Sequence, residues 1–315
     1  MPDRDETVAG GKGRVDNDPR PSIGKSMLRR LRTPSRVRIA LALTGLVVVI
    51  GSSIAAPPPQ RPGATLRLLV AGVVDGRPEV GLEIALEPGW KTYWRSPGDA
   101  GIPPVVDWSA SRGVSRVDLK FPAPVRFGEE GARSIGYTAP VILPIDIALA
   151  DPARPAKLDL DVQVGLCHEV CVPLSMRLTA DLSPAAPVDP AVRTRLAEAR
   201  SRLPAPAVKG VAPWVMSLER DRDSIPGALL AQVKMPLEED EEQPCDVLVE
   251  GPDGDWALPL PEKIAESPGR EIWRFDLDGI PRGARLEGTE LRFTMRARDR
   301  FVEQTVKLDG AAASP

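Results

Sequence analysis

Apolar residues recur at every second position in long stretches of this chain. The clearest segment is 158–164, where Leu and Val alternate with Asp159, Asp161 and Gln163. Segments 66–70, 80–86 and 174–180 carry the same apolar alternation. Period-two alternation is typical of half-buried antiparallel strands. Turn residues separate these segments at intervals of about 8–12 positions, which favours a β-sandwich.

The pattern breaks between residues 184 and 206 and then returns. Asp189 followed by Pro190 predicts an N-cap with proline at the first helical position, so a short helix over 191–203 is expected inside a linker. Further strands are predicted at 214–220, 228–235, 246–250, 272–277, 291–296 and 301–308. The prediction is an all-β protein with sandwiches at 64–183 and 207–309, a linker at 184–206 and a tail at 310–315.

Composition agrees with this architecture and narrows the function. A length of 315 residues predicts about two domains. The 35 prolines favour short strands and turns over long helices. A net charge of −3 argues against nucleic acid as a partner. The acidic run 238–242 is interpreted as a solvated loop.

The first 56 residues are typical of a targeting segment. Residues 1–38 hold ten Lys/Arg and five Asp/Glu, and an uncharged apolar run at 39–50 is followed by small residues. This order predicts a secretory signal that ends near residue 56, before a proline-rich spacer at 57–63. An uncleaved anchor formed by 39–56 is the alternative, and it would be the only contact with a membrane. Met27 is an alternative start to Met1, because it gives a signal of ordinary length.

Two of the three cysteines and the only histidine lie within five residues, in Cys167-His-Glu-Val-Cys171. Predicted strands run directly into Cys167 and directly out of Cys171, so the pair should flank a three-residue hairpin loop. Opposite positions on antiparallel strands lie within reach of a disulfide. Export would place this pair in an oxidising compartment, where a disulfide can persist.

Three interpretations of the pair stay open at this point. It is a structural bridge, a redox pair, or a Cu(I) site in which Met176 adds a soft ligand to the two thiolates. Zinc is disfavoured, because it needs four ligands and the chain has only four Cys and His residues. A protonated His168 would lower the pKa of a nearby thiol, whereas Glu169 would raise it. Cys245, at the start of a later strand, is interpreted as a buried inert thiol.

Two distant segments resemble one known family. Residues 89–104 (GWKTYWRSPGDAGIPP) and 165–173 (GLCHEVCVP) are similar to motifs of the N-terminal periplasmic domain of the disulfide reductase DsbD. The similarity is greatest to the suppressor-of-copper-sensitivity branch, and it covers about 64–182. It implies an immunoglobulin-like sandwich with one redox disulfide on a hairpin, and that branch has a second sandwich after the first.

The resemblance also implies a function and a set of site residues. Cys167 and Cys171 would be the exchanging pair, and the cap loop would match 125–131, with Phe127 and Glu129 as covering residues and Tyr137 near its end. His168 and Glu169 would modulate the pair, whereas the Trp90, Tyr93 and Trp94 cluster is interpreted as framework.

Such a module passes electrons between a membrane-embedded disulfide reductase and thioredoxin-like proteins of the periplasm, and needs no cofactor. Two departures are evident. The founding member separates its cysteines more widely, and it continues into a membrane domain and a thioredoxin-like domain that these 315 residues lack. We therefore expect a relay subunit served by separate proteins, rather than a stand-alone enzyme, or a module put to another use.

Overall fold

The computed structural model describes residues 63–98, 100–128, 133–221, 227–237, 245–298 and 300–308. Residues 1–62 lie outside these ranges, and they include the predicted leader and all of the predicted spacer except Gly63. Glu129, the acidic run 238–242 and the predicted tail 310–315 lie outside them as well. No helix within the described residues is long and apolar enough to cross a membrane.

Ten strands of the described residues form the first sandwich. In chain order they are β1 (Ala64–Val74), β2 (Arg77–Leu86), β3 (Lys91–Gly98), β4 (Val105–Asp107), β5 (Val114–Leu119), β6 (Val125–Phe127), β7 (Ser134–Tyr137), β8 (Val141–Leu149), β9 (Ala156–Cys167) and β10 (Cys171–Leu182). One sheet has the order β1-β2-β8-β5. The other has the order β10-β9-β3-β7-β6, with β4 also paired to β9. All these pairings are antiparallel, as the alternating pattern predicted.

The core of this sandwich lies between the two sheets and uses the apolar side of each strand. Alternate residues of β9 are fully buried, whereas Asp161 and Gln163 between them are exposed. The largest buried side chains of this core are Leu82, Ile84, Trp94, Ile135, Leu143, Ile145, Leu158, Leu160, Leu166 and Leu182.

Helix α1 (Pro190–Ser201) follows the first sandwich. Asp189 caps it, because its carboxylate accepts hydrogen bonds from the backbone N–H groups of Ala191 (2.9 Å) and Val192 (3.1 Å). Leu196 is buried, and Arg195 forms an ion pair with Glu83 of β2. The predicted linker helix is confirmed, and it ends two residues earlier than expected.

The second sandwich holds the remaining strands, which are β11 (Ala205–Pro206), β12 (Trp214–Asp221), β13 (Ala228–Lys234), β14 (Asp246–Glu250), β15 (Glu262–Ser267), β16 (Arg270–Asp276), β17 (Glu290–Ala297) and β18 (Arg300–Lys307). Its sheets have the orders β11-β18-β17-β14 and β12-β13-β16-β15. The predicted fold class, all-β sandwiches joined by a short helical linker, is therefore confirmed. Strand β15 was not predicted, because all six of its residues are exposed and it has no apolar alternation.

Candidate functional site

The two clustered cysteines close the end of a long β-hairpin. Strands β9 and β10 pair without a break from Leu182 with Ala156 to Cys171 with Cys167. The two cysteines form a disulfide, and their Cα atoms lie 4.1 Å apart. The loop 168–170 is exposed, as is Cys171, whereas Cys167 is half-buried. The hairpin predicted from the flanking alternation is therefore present, with the disulfide that its geometry allows.

The disulfide lies on the outer face of the six-stranded sheet, away from the core. Cys167 is paired with Lys91 of β3, and paired residues project to the same face of a sheet. Along β3, Thr92 and Trp94 are fully buried on the core side. Alternation then places Lys91 and Tyr93 on the outer face, beside the disulfide.

Tyr93 contacts the disulfide directly. It is only 2% exposed, and its hydroxyl oxygen lies 3.0 Å from the Sγ atom of Cys171. A disulfide sulfur carries no hydrogen, so the Tyr93 hydroxyl donates this hydrogen bond. Burial raises the pKa of Tyr93 above its ordinary value, so the phenol keeps its proton at neutral pH. The site thus has a fixed donor aimed at one of its two sulfur atoms.

Two glycines make room for the Tyr93 ring. A Cβ atom on Gly165 would lie 2.8 Å from Cδ2 of Tyr93 and 2.6 Å from Cβ of Ile102. A Cβ atom on Gly101, whose φ is +149°, would lie 2.5 Å from Cδ1 of the same ring. Contacts this short are sterically forbidden, so only glycine allows the ring to lie between these two backbone segments. The glycines therefore fix where the hydroxyl points.

Phe127 extends the aromatic group beyond Tyr93. It lies on the short edge strand β6, and its ring centroid is 5.9 Å from that of Tyr93. The Lys91 ammonium group lies 5.3 Å from the centroid of the Phe127 ring, within the range of a cation–π contact. Phe127 thus reaches the disulfide through Tyr93, and Glu129, its predicted companion, lies outside the described residues.

Tyr137, also predicted near the cap, lies elsewhere. It is 7% exposed and belongs to the core of the first sandwich. Its hydroxyl donates to the backbone carbonyl of Pro122 at 2.7 Å, and burial raises the pKa of the phenol well above its usual range. The structure therefore places Tyr137 in the framework, away from the cysteines.

The two loop residues beside the cysteines are exposed to solvent. The His168 ring lies against Trp90, with centroids 5.6 Å apart and planes inclined by 43°. The backbone N–H of His168 donates to the carbonyl of Val170 at 3.4 Å, across the turn of the loop. Glu169 projects from the same turn, so both residues can act only at the rim of the site.

The three proposed Cu(I) ligands do not converge. Met176 lies five positions beyond Cys171 on β10, about 17 Å along the strand and on its opposite face. Within the described ranges, no three His, Cys, Asp or Glu side chains come together as a group that could hold a metal ion. Cys245 is half-buried and packs against the core of the second sandwich.

Sequence reasoning assigned Tyr93 to the framework and so missed its contact with Cys171. Trp94 does lie in the core, as that interpretation expects. A signal for Tyr93 was present, because the alternation in Lys91-Thr-Tyr-Trp-Arg95 places it on the face opposite Trp94. Its partner Cys171 is 78 residues away, so only the pairing of the strands reveals the contact.

The fold and the site together define an immunoglobulin-like sandwich with an exposed disulfide at a hairpin neck. Residues 68–183 match the family described as "Thiol:disulfide interchange protein DsbD, N-terminal", which confirms the resemblance for the first sandwich. The family match supports the interpretation of the first sandwich as a thiol–disulfide exchange module, in which Cys167 and Cys171 form the disulfide.

The whole fold is similar to a solved structure, the N-terminal periplasmic domain of ScsB from Proteus mirabilis. The TM-score is 0.62 at 20% sequence identity, and the match covers 81% of this chain and 97% of the ScsB domain. The likeness therefore includes the second sandwich. No curated protein sequence matches the chain.

Proposed function

We propose that this protein is a periplasmic electron relay. Its Cys167–Cys171 disulfide passes electrons between a membrane-embedded disulfide reductase and thioredoxin-like partners. The observation that carries the proposal is an accessible disulfide at the end of a hairpin, with the buried Tyr93 hydroxyl hydrogen-bonded to one of its sulfur atoms. The family match over 68–183 and the periplasmic ScsB domain of similar fold support the same function.

A purely structural role explains this disulfide less well. Closing a ring of only five residues constrains the unfolded chain by about 2 kcal/mol at most. The continuous ladder of β9 and β10 already holds the two cysteines opposite each other. A bridge that adds little to the fold, and whose Cys171 is exposed, is suited to being made and broken.

The reaction is a sequence of two thiol–disulfide exchanges. A thiolate of the reduced donor attacks one sulfur of the Cys167–Cys171 bridge, forms a mixed disulfide and releases the other cysteine as a thiolate. The second donor thiol then attacks the mixed disulfide, which oxidises the donor and leaves both cysteines reduced. Transfer to an oxidised acceptor runs the same steps in the opposite direction, so two electrons and two protons pass in each cycle.

Tyr93 supports these steps at the sulfur atom of Cys171. Its O–H is directed at Cys171 Sγ, so it stabilises negative charge when that sulfur becomes a thiolate. Because the phenol is protonated at neutral pH, this donor is present throughout the cycle. Phe127 and Lys91 pack together beside Tyr93, close to where an incoming thiol would approach.

A redox titration of the full chain with thiol trapping tests the proposal. We expect a reduction potential above about −300 mV, the region of exchangeable disulfides. We also expect Cys167→Ser or Cys171→Ser to trap a mixed disulfide with thioredoxin, and both variants are needed because either sulfur can be the one attacked. A potential well below −300 mV, with no trapped complex from either variant, would identify a structural bridge instead.

A further inference from the structure

The second sandwich contacts the first at the strand that carries Phe127. The Arg126 Nε atom on β6 donates to the Asp246 carboxylate at 2.8 and 3.0 Å. Its Nη2 atom donates to the backbone carbonyls of Val247 (2.7 Å) and Pro261 (3.1 Å). One guanidinium group therefore binds three groups of the second sandwich through two of its nitrogen atoms, which the rigid, planar fork of arginine holds in fixed directions.

A second arginine makes a similar contact from the strand that carries Tyr93. Arg95 lies two residues after Tyr93 on β3, and its guanidinium group lies over the Trp94 ring, 4.1 Å from the ring centroid. It forms a bidentate pair with Glu250, at 2.8 and 2.7 Å, and its Nη2 also reaches Glu303 at 2.5 Å. Both strands that bear the aromatic residues of the site are therefore tied to the second sandwich.

Apolar contacts reinforce these ion pairs. Leu248 and Leu260 belong to the second sandwich by sequence, but they pack into the core of the first. They are only 5% and 9% exposed. Partly buried ion pairs flanked by a packed apolar contact keep a defined geometry, because the side chains have few alternative positions.

Strand β6 has little else to hold it. It is three residues long, lies at the edge of its sheet and, among the described residues, pairs only with β7. Short edge strands open more easily than central ones, since few backbone hydrogen bonds must break. Alternation places Arg126 on the side that meets the second sandwich and Phe127 on the other, where its ring packs on Tyr93.

We propose that the second sandwich positions the aromatic cover of the disulfide, with Arg126 as the positioning residue. By holding β6, it keeps Phe127 against Tyr93 and limits the access of thiols to Cys167 and Cys171. The inference rests on the proposed function, and it assigns the second sandwich a role in regulating that site.

The rate of disulfide reduction by dithiothreitol in the full chain tests this assignment. Arg126→Gln and Asp246→Asn each remove one charge of the Arg126–Asp246 ion pair, and Arg126→Gln also removes the hydrogen bonds to Val247 and Pro261. Weakening one or two hydrogen bonds should raise the open fraction of β6, and with it the reduction rate, about five- to thirty-fold. Arg220→Gln is the matched control, because it removes an exposed ion pair with Glu287 inside the second sandwich and should leave the rate unchanged.

A double-mutant cycle separates positioning from general loosening. If Arg126 acts through Phe127, then Phe127→Ala alone should raise the rate, and adding Arg126→Gln should raise it little further. The assignment would be overturned if the effects of Phe127→Ala and Arg126→Gln on the reduction rate were fully additive. It would also be overturned if folded Arg126→Gln and Asp246→Asn variants were both reduced at the wild-type rate. Exchange with thioredoxin is measured in parallel, since its absence in the wild type would refute the relay while the dithiothreitol rates still report on positioning.

Discussion

Replacing Tyr93 with phenylalanine should shift the reduction potential of the disulfide. The substitution keeps the ring between Gly101 and Gly165 and removes only the hydroxyl, which lies 3.0 Å from Cys171 Sγ. A neutral disulfide sulfur is a weak acceptor, whereas a thiolate is a strong one. The hydroxyl therefore stabilises the reduced protein more than the oxidised one, and its loss should make the potential more negative.

The size of this shift follows from the strength of the hydrogen bond. A bond to a charged group contributes about 1.5–3 kcal/mol, and 1.4 kcal/mol corresponds to about 30 mV for a two-electron couple. Tyr93→Phe should thus lower the potential by about 30–60 mV when the Cys171 thiol is ionised. Equilibration with dithiothreitol redox buffers and thiol trapping, at neutral and alkaline pH, measures it.

Tyr137→Phe is the matched control. It also removes a buried hydroxyl, but one that donates to the carbonyl of Pro122 in the framework. We expect a loss of about 1–3 kcal/mol in the free energy of unfolding, from the carbonyl left without its donor, and no change in potential. An unchanged or more positive potential in the Tyr93 variant would refute the role assigned to its hydroxyl.

Two further predictions concern the packing and the electrostatics around the hairpin. Gly165→Ala should displace Tyr93 and Ile102, because the added Cβ atom would clash with both side chains. We expect the free energy of unfolding to fall by about 1–3 kcal/mol in denaturant titrations, and the reduction potential to shift in the same direction as in Tyr93→Phe. A variant with wild-type stability and wild-type potential would contradict the steric argument. The Arg177 guanidinium binds the Asp159 carboxylate at 2.7 and 2.8 Å and lowers the pKa of that carboxyl. The pair therefore stabilises the fold at pH values above the ordinary Asp pKa, and this stabilisation is lost as the pH falls through the lowered pKa. Arg177→Gln should therefore unfold more readily than the wild type at pH 7, with the difference in denaturant midpoint narrowing below about pH 4, and a difference that does not depend on pH would contradict this origin.

Local patterns predicted the parts of this fold that depend on local physics. Alternation in 158–164 predicted strand β9 and its buried face, because one side of that strand packs in the core and the other is exposed to solvent. Asp189 and Pro190 predicted the start of α1, because capping involves only neighbouring residues. The exposed strand β15 escaped prediction because it has no buried face to create a pattern.

The candidate site was predictable only in its covalent part. The cysteines lie on adjacent strands of one hairpin, so their pairing follows from the nearby sequence. The contact of Tyr93 with Cys171, and that of Arg126 with Asp246, join residues 78 and 120 positions apart. Side chains at such separations meet only after the sheets are assembled, and no local pattern records the meeting.

The long ladder between β9 and β10 has a consequence for the redox cycle. Breaking the disulfide releases no distant segment, because the paired positions from Leu182 with Ala156 to Val172 with Leu166 still hold both strands in register. The oxidised and reduced proteins should therefore share one backbone, and little reorganisation energy is spent on each turnover. A partner must then distinguish the two states by the sulfur atoms themselves, rather than by a change of shape.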